Sequence, residues 1–454
     1  MPTIGSRSKR FMLRPGAVLA LAVTGLTCLL FPALLKAEPL AMTLEQALER
    51  GMAVNAQIMA HESGQAAARE GVRAAVGNFL PTMSFNYGSN RLGNDTNVER
   101  DLDYLDQDST TLSATLSQPI FAGFSGVAGL KLAKAGFKVS GHELKYIQLQ
   151  VAREIRRDFH AVLHAQERIA LWEESIERLL RQQEIVNAWY QQQLATELRL
   201  LEVKVELSEA RRQLATAQAE LNESRARMVR WLALDAPDDF TPVGTLTLQG
   251  AETFPPLTDA LEISRLTRPD LQVATLRIDQ AEQEVRRIAA RNLPRVDMEG
   301  SWTDFDREYQ DARYPDENRQ YYNVGVQITF RPFQGGRNIF QWRQQRLQVQ
   351  RLREELRDLE LGVAAEVRAA YSRWQESYSR MQAAADTRAQ AEAAWRMARR
   401  GLELGAGSLR ETLDTELRLT RADLSLLDAR LNRRHARADM LFALGEGTPT
   451  GGAE

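Results

Sequence analysis

Residues 80–89 read "LPTMSFNYGS", and a stretch of the same form, "LPRVDMEGSW", begins 213 positions later at Leu293. Both open with Leu-Pro, and apolar side chains then recur at alternate positions, at Met83, Phe85 and Tyr87 in the first copy. Alternation with a period of two residues predicts a β-strand with one apolar and one polar face. The rest of the chain has mostly helical periodicity, so we ask why a helical protein carries one short strand twice.

Most of the chain is present in two copies. Identical side chains recur at an offset of 213 residues around the strands and at an offset of 212 further along the chain. The pairs are Ala68 and Ala281, Val72 and Val285, Arg73 and Arg286, Leu80 and Leu293, Pro81 and Pro294, Pro119 and Pro332, Gly123 and Gly336, Leu201 and Leu413, Leu207 and Leu419, and Ala210 and Ala422. Chance does not keep such a spacing nearly constant, so the sequence predicts a tandem repeat.

Each copy has the same plan: a helical segment, a strand, a polar acidic loop, a return strand and two long helices. The predicted boundaries are 1–37 for a signal peptide, 38–79, 80–121 and 122–234 for the helical segment, β-hairpin and long helices of the first copy, 235–268 for a connecting region, 269–292, 293–333 and 334–444 for the same three parts of the second copy, and 445–454 for a flexible tail.

The N-terminus has the pattern of a secretory signal peptide. Four basic side chains precede an apolar run over 17–35, and Ala37 ends the segment. We expect cleavage after Ala37; the alternatives are an uncleaved anchor and, less favoured because Thr27 precedes Cys28, lipidation. Removing five of the 58 basic residues leaves 53 against 60 acidic ones, a net charge of −7. This balance argues against a nucleic-acid partner, and no apolar run long enough for a transmembrane helix follows Ala37.

Four prolines mark the predicted junctions between strand and helix, because proline cannot donate to a β-ladder and is confined to strand ends and bulges. They are Pro81, Pro119, Pro294 and Pro332. Counted from Pro119 and Pro332, the apolar faces of the two return strands are out of step by one residue. A bulge near Phe330 would reconcile them, since a slip of one residue moves every side chain to the other face.

The long helices predict a wall of helices. The segment 122–188 has 67 positions, which makes a rod of roughly 100 Å. The segment 408–444 carries two apolar seams, one through Leu413, Leu417, Thr420, Leu424, Leu427 and Leu431 and one through Leu419, Ala422, Leu426 and Ala429. Two seams on one helix predict two neighbouring helices.

The four strands, each about ten residues long, have the length of outer-membrane strands. An open sheet edge in lipid leaves backbone groups without hydrogen bonds, so such a sheet must close. Closed membrane barrels need about eight strands or more. Several chains must therefore share one barrel, with eight strands from two chains or twelve strands and a water-filled lumen from three.

The combination of these features resembles the TolC family of outer-membrane efflux proteins. The stretches that carry the resemblance are "SQPIFAGFSG" at 117–126, "FRPFQGGRN" at 330–338 and "LELGAGSLRETLDTELRLTRA" at 402–422. The resemblance implies a mainly α protein with one membrane β-hairpin per repeat, forming a homotrimeric β-barrel, a long α-helical barrel in the periplasm and an equatorial region at 235–268. It also implies an exit duct in the outer membrane of a Gram-negative bacterium, for tripartite efflux or type I secretion. The expected partners are a periplasmic adaptor, an inner-membrane pump of the RND, ABC or MFS type, and outer-membrane lipid, with no cofactor and no catalysis.

The resemblance also implies two functional sites near the second helical turn. The adaptor-docking tip matches at Gly405, Ala406, Gly407, Ser408 and Leu409, where we expect the glycines to adopt positive φ. The first turn, within 191–201, has Gln193 or Leu194 where the glycine would be, so its docking role stays open.

Glu411 and Asp414 match acidic positions that line the periplasmic entrance, where threefold symmetry would make rings of carboxylates that bind cations. The alternative is that Asp414 pairs with Arg418 on the helix surface.

Other functions have weaker support. His160 and His164 lie four residues apart and could be half of a metal site, but all other ligands would have to come from elsewhere, so we interpret them as two histidines of the helical wall. A periplasmic adaptor would explain the long helices, but its strands would not pair apolar faces with acidic loops twice. A structural coiled-coil protein would not explain the hairpins. The sequence does not identify the exported cargo.

Overall fold

The computed structural model describes residues 40–92, 107–236, 240–247, 253–309 and 315–448. The predicted signal peptide, Cys28, parts of both acidic loops and most of the predicted tail lie outside these ranges.

The helices follow the repeat. The first copy contains α1 (Leu44–Val54), α2 (Ala56–Gly77), α3 (Ser125–Gln191) and α4 (Glu197–Leu232). The second contains α5 (Leu257–Thr267), α6 (Pro269–Ala289), a short 3-10 turn (Ala290–Asn292), α7 (Arg337–Glu403) and α8 (Leu409–Ala443). Helices α3 and α7 both have 67 residues and are related by an offset of 212. Within the described residues, we find no helix with the length and apolar character needed to cross a membrane.

The four long helices form two hairpins that lie side by side. Helix α3 packs against α4, α7 packs against α8, and α3 also packs against α8. Both predicted seams of α8 are at least half-buried, which confirms the expectation that this helix has two neighbours. On α4, Leu200, Val203 and Leu207 are buried, while Leu198 and Val205 on another side are 65% exposed.

The strands form one antiparallel sheet with the order β2 (Thr82–Leu92), β3 (Gln107–Ala122), β5 (Arg295–Tyr309) and β6 (Glu317–Thr329). A smaller parallel pair, β1 (Leu40–Met42) and β4 (Phe240–Pro242), ties the start of the described chain to the region after α4. Strands β2 and β6 are the two edges of the larger sheet, and within the described residues neither edge is paired on its outer side.

The larger sheet has one apolar and one polar face. Cross-strand partners in antiparallel strands point to the same side, and the row Phe85, Ala114, Trp302 and Tyr322 lies on the apolar face. The adjacent row on the other face is Ser84, Thr115, Ser301 and Asn323. The apolar face is open, with Phe85 70% and Tyr322 83% exposed. The expected alternation is therefore present in all four strands.

The predicted bulge near Phe330 is wrong. The ladder between β3 and β5 shifts between Pro119 and Phe121, so the extra residue is Ile120 in the first copy. Gly123 and Gly335 then occupy equivalent positions with φ of 60° and 62°, instead of Gly123 and Gly336 as the sequence spacing predicted. Ile120 thus accounts for the change of the repeat offset from 213 to 212.

The junction prolines occupy three kinds of position. Pro81 and Pro294 directly precede β2 and β5, and Pro332 lies between β6 and α7. Pro119 lies inside β3 instead of at its end, directly before the bulge, where the ladder tolerates a residue without an N–H group.

Candidate functional site

The turn between α7 and α8 contains four residues of the predicted docking tip, Gly405 to Ser408, whereas Leu409 is the first residue of α8 and is buried. Gly405 has a φ of 72°, in the left-handed region that glycine adopts without strain. The N–H groups of Ala406 and Gly407 both donate to the carbonyl of Gly401, at 2.9 Å each. The Ser408 hydroxyl accepts from the N–H of Glu411 at 3.1 Å and so caps α8.

Gly407 is required for a different reason than the one expected. Its φ is not positive, so the sequence prediction is wrong for this residue. A Cβ placed on Gly407 would lie 2.9 Å from both the carbonyl carbon of Gly401 and the amide nitrogen of Leu402. Glycine is needed here because the backbone of the turn folds back onto the end of α7.

The turn between α3 and α4 has the same backbone form without any glycine. At the offset of 212 its left-handed residue is Gln193, with a φ of 59°, and the Leu194 N–H donates to the Trp189 carbonyl at 2.8 Å. Thr196 precedes α4 but makes no side-chain cap hydrogen bond. Leu194 is 73% exposed, so this turn presents apolar surface. The signal for this turn in the sequence is the repeat offset of 212, which places Gln193 on Gly405.

Glu411 and Asp414 both lie on the exposed side of α8, one turn apart. Arg418 bonds to Asp414 at 2.7 Å, which is the pair expected in the alternative reading. The side chains of Arg418 and Asp414 are 67% and 56% exposed, so this pair contributes at most a few tenths of a kcal/mol. Both carboxylates are accessible to solvent, and the positive charge of Arg418 offsets the negative charge of Asp414.

Near the helical tips lies a buried ion pair that the sequence did not predict. The Arg178 guanidinium on α3 bonds to the Glu416 carboxylate on α8 at 2.5 Å, with 8% and 6% of the two side chains exposed. Arg178 also contacts Glu174 at 2.7 Å and Thr420 at 3.3 Å. Burial raises the pKa of Glu416, and the charge of Arg178 opposes this shift. The pair fixes α8 to α3 about two helical turns after Leu409, the last residue of the second tip.

The two histidines that lie four residues apart, His160 and His164, have different surroundings. His160 is buried, and its burial together with the nearby Arg434 lowers its pKa to about 3. His164 lies 2.7 Å from an Asp428 carboxylate oxygen. Within the described residues no group of three His, Cys, Asp or Glu side chains is positioned to hold a metal ion.

The family model for outer membrane efflux proteins matches residues 44–233 and 260–446. The chain therefore belongs to the outer membrane efflux protein family, the TolC family of channels. No curated protein matches the chain.

Several solved outer-membrane channels have the same fold. CmeC of Campylobacter jejuni has a TM-score of 0.77 and 15% identity over 90% of this chain and 87% of its own. MtrE of Neisseria gonorrhoeae, in its open state, has a TM-score of 0.74 and 18% identity over 89% of both chains. VceC of Vibrio cholerae has a TM-score of 0.73 and 14% identity over 89% of this chain and 97% of its own.

The function follows from family and fold together. The protein is an outer-membrane efflux duct with a large helical part in the periplasm. The family and its structural relatives are channels, not enzymes. Membership implies, in general terms, a trimeric assembly that works in a tripartite pump.

Proposed function

We propose that three identical chains close one twelve-stranded barrel and continue into a helical tunnel through the periplasm. The observation that carries this proposal is the sheet with one apolar face and two unpaired edges, β2 and β6. In lipid each open edge would leave backbone groups without hydrogen bonds, at a cost of several kcal/mol per group. Pairing β6 of one chain with β2 of the next removes every edge.

The tunnel end connects to the rest of the pump. We propose that a periplasmic adaptor binds the helical tips and links the duct to an inner-membrane pump of the RND, ABC or MFS type. The second tip offers Gly405, Ala406 and Gly407 in a tight turn, and Ser408 and Leu409 begin α8. The matching geometry of the first turn supports docking there as well, through Leu194.

We further propose that Glu411 and Asp414 line the entrance. Three copies of each carboxylate would repel one another by roughly 0.5 kcal/mol per pair in water and roughly 2 kcal/mol at an effective dielectric of 20, for a separation of about 8 Å. Cations would relieve this repulsion and concentrate at the ring. Arg418, which bonds to Asp414, reduces the negative charge of each chain at this level.

The assembly is tested by the mass and N-terminus of the purified protein. We expect a detergent-corrected mass of three chains and a mature N-terminus near Glu38. A monomeric mass, or a sequence that begins at Met1, would contradict the proposal.

The entrance is tested by ion selectivity in planar bilayers. Wild-type trimers should prefer cations and be blocked by multivalent cations from the periplasmic side. Glu411→Gln combined with Asp414→Asn should lose both properties. Arg418→Gln should strengthen them, because it leaves Asp414 unpaired. Unchanged selectivity in the acidic variant would show that these carboxylates do not line the entrance.

A further inference from the structure

A cleft of about 600 Å³ lies where the sheet meets the long helices. Its wall contains four arginines from two separate stretches of the chain, together with one carboxylate. These residues are Arg291, Arg295, Arg331, Arg337 and Asp297. Four cationic groups and one anionic group give this junction cleft a net charge of +3.

The arginine charges are mostly uncompensated. Arg331 is exposed and has no hydrogen bond or ion pair among the described residues. Arg291 and Arg337 each donate to a neutral amide, Gln341 at 3.0 Å and Gln334 at 2.8 Å. Only Arg295 has an ionic partner, Asp297 at 2.6 Å. Three guanidinium groups therefore remain available to an oxyanion, whose oxygens they can bind in pairs.

Two long helices also begin at this cleft. Ser125 and Arg337, the first residues of α3 and α7, line it. The residues that precede them, Phe124 and Gly336, make no side-chain cap hydrogen bond. The positive ends of both helix dipoles therefore add to the attraction for an anion, while the N–H groups of Arg337 and Ile339 already donate to the carbonyls of Gln334 and Gly336.

Asp297 favours an anion that can donate a hydrogen bond over one that cannot. Its side chain is 10% exposed, and its Oδ1 atom is buried without a hydrogen-bond partner among the described residues, in the wall of the cleft. A buried carboxylate oxygen needs a donor. A phosphate or phosphate monoester that keeps one proton supplies a hydroxyl donor and oxyanions together. Fully ionised sulfate supplies no donor and is repelled by the carboxylate.

The cleft lies on the polar face of the sheet. Arg295 and Asp297 pair with Thr329 and Gln327 across β5 and β6, on the face opposite to Met298 and Val326. In the trimer of the proposed function, on which this inference rests, that face surrounds the lumen. We propose that the junction cleft binds the phosphate group of solutes that pass through the duct, at three equivalent sites below the barrel.

The test uses purified wild-type trimers in planar bilayers, with inorganic phosphate or sulfate added at equal ionic strength. We expect phosphate to reduce the current and sulfate to have little effect. Arg331→Gln combined with Arg337→Gln should raise the half-blocking phosphate concentration by about tenfold or more, since it removes two charge-assisted contacts. The control, Arg351→Gln combined with Arg380→Gln, changes the same charge on exposed parts of α7 and should behave as wild type.

Asp297→Asn tests selectivity, because an amide can donate to sulfate. This variant should bring block by sulfate to the level of block by phosphate. Conducting wild-type trimers that phosphate does not block, or blocks no better than sulfate, would overturn the inference and leave the duct intact. Failure of the protein to form channels would instead contradict the proposed function.

A membrane phospholipid also carries a phosphate group. Extraction with chloroform distinguishes a bound phospholipid from a phosphorylated solute. We expect no more chloroform-extractable phosphorus in wild-type trimers than in the Arg331→Gln, Arg337→Gln variant. A stoichiometric excess in wild type would assign the cleft to a lipid headgroup and overturn the assignment to solutes.

Discussion

The hairpins α3–α4 and α7–α8 have the same backbone at their turns but hold those turns differently. Both turns place a residue at positive φ at the same repeat position, Gln193 in the first and Gly405 in the second. The second turn adds a hydrogen bond from Gly407 and a serine cap, and within the described residues the first has neither. The turn geometry is therefore specified locally in the second copy and imposed by the surrounding helices in the first.

The hairpins also differ in their ionic contacts. The buried pair of Arg178 and Glu416 joins α3 to α8. At the repeat offset the equivalent residues are Gln390 and Lys204, and both are exposed. Arg178 and Glu416 are thus part of a helix–helix contact within the chain, whereas their repeat equivalents Gln390 and Lys204 are exposed.

The largest effect that separates the hairpins should come from Glu416→Leu. It leaves the buried Arg178 with only the exposed carboxylate of Glu174 and should lower the free energy of unfolding by up to about 3–5 kcal/mol, measured by urea denaturation of the solubilised protein. Adding Arg178→Met should restore most of the loss. Lys204→Leu, at the equivalent exposed position, should change stability by no more than about 0.5 kcal/mol. Equal losses from the two leucine variants would contradict the burial of the pair.

A smaller effect should distinguish Gly407 from Ala195, its equivalent in the first turn. Gly407→Val places a side chain against the backbone of Gly401 and should cost about 1–3 kcal/mol locally. Faster hydrogen exchange around the second turn would report this cost, and the proposed docking predicts loss of export while trimers still reach the outer membrane. Ala195→Val is the matched control and should leave both exchange and export unchanged. Normal exchange in Gly407→Val would refute the tight turn.

The smallest effect concerns Gln193. A left-handed conformation costs a residue with a side chain about 1–2 kcal/mol relative to glycine. Gln193→Gly should therefore slow proteolysis of the first turn, while Gly405→Gln should speed proteolysis of the second. If both variants shift protection in the same direction, the two turns do not share this conformation.

The elements that repeat with a clear period could be predicted from the sequence. Two periodic patterns indicate the apolar side of their elements: the alternation at Met83, Phe85 and Tyr87, and the two seams of α8. The structure has a strand and a helix at these places. Gly405 could be predicted as a turn residue because glycine favours positive φ. The side chain of Gln193 does not favour that conformation, so only its repeat equivalence to Gly405 indicates it.

Contacts between charged residues that are distant in the sequence could not be predicted from it. Arg178 and Glu416 are 238 positions apart, and each is an ordinary surface residue by helical periodicity. The arginines of the junction cleft belong to two stretches that meet through the register of β5 and β6 and through contacts at the start of α7, such as Arg291 with Gln341. Such sites depend on how elements align, and this alignment has no local signal.

Ile120 makes the backbones of the two hairpins in each chain unequal. In the closed ring proposed above, six hairpins of common ancestry surround the lumen, and every second one contains the additional residue. A ring of six equal units would present six interchangeable orientations to anything seated on it. With one inserted residue per chain, the proposed ring would have three equivalent orientations, and its barrel would consist of three unequal pairs of hairpins.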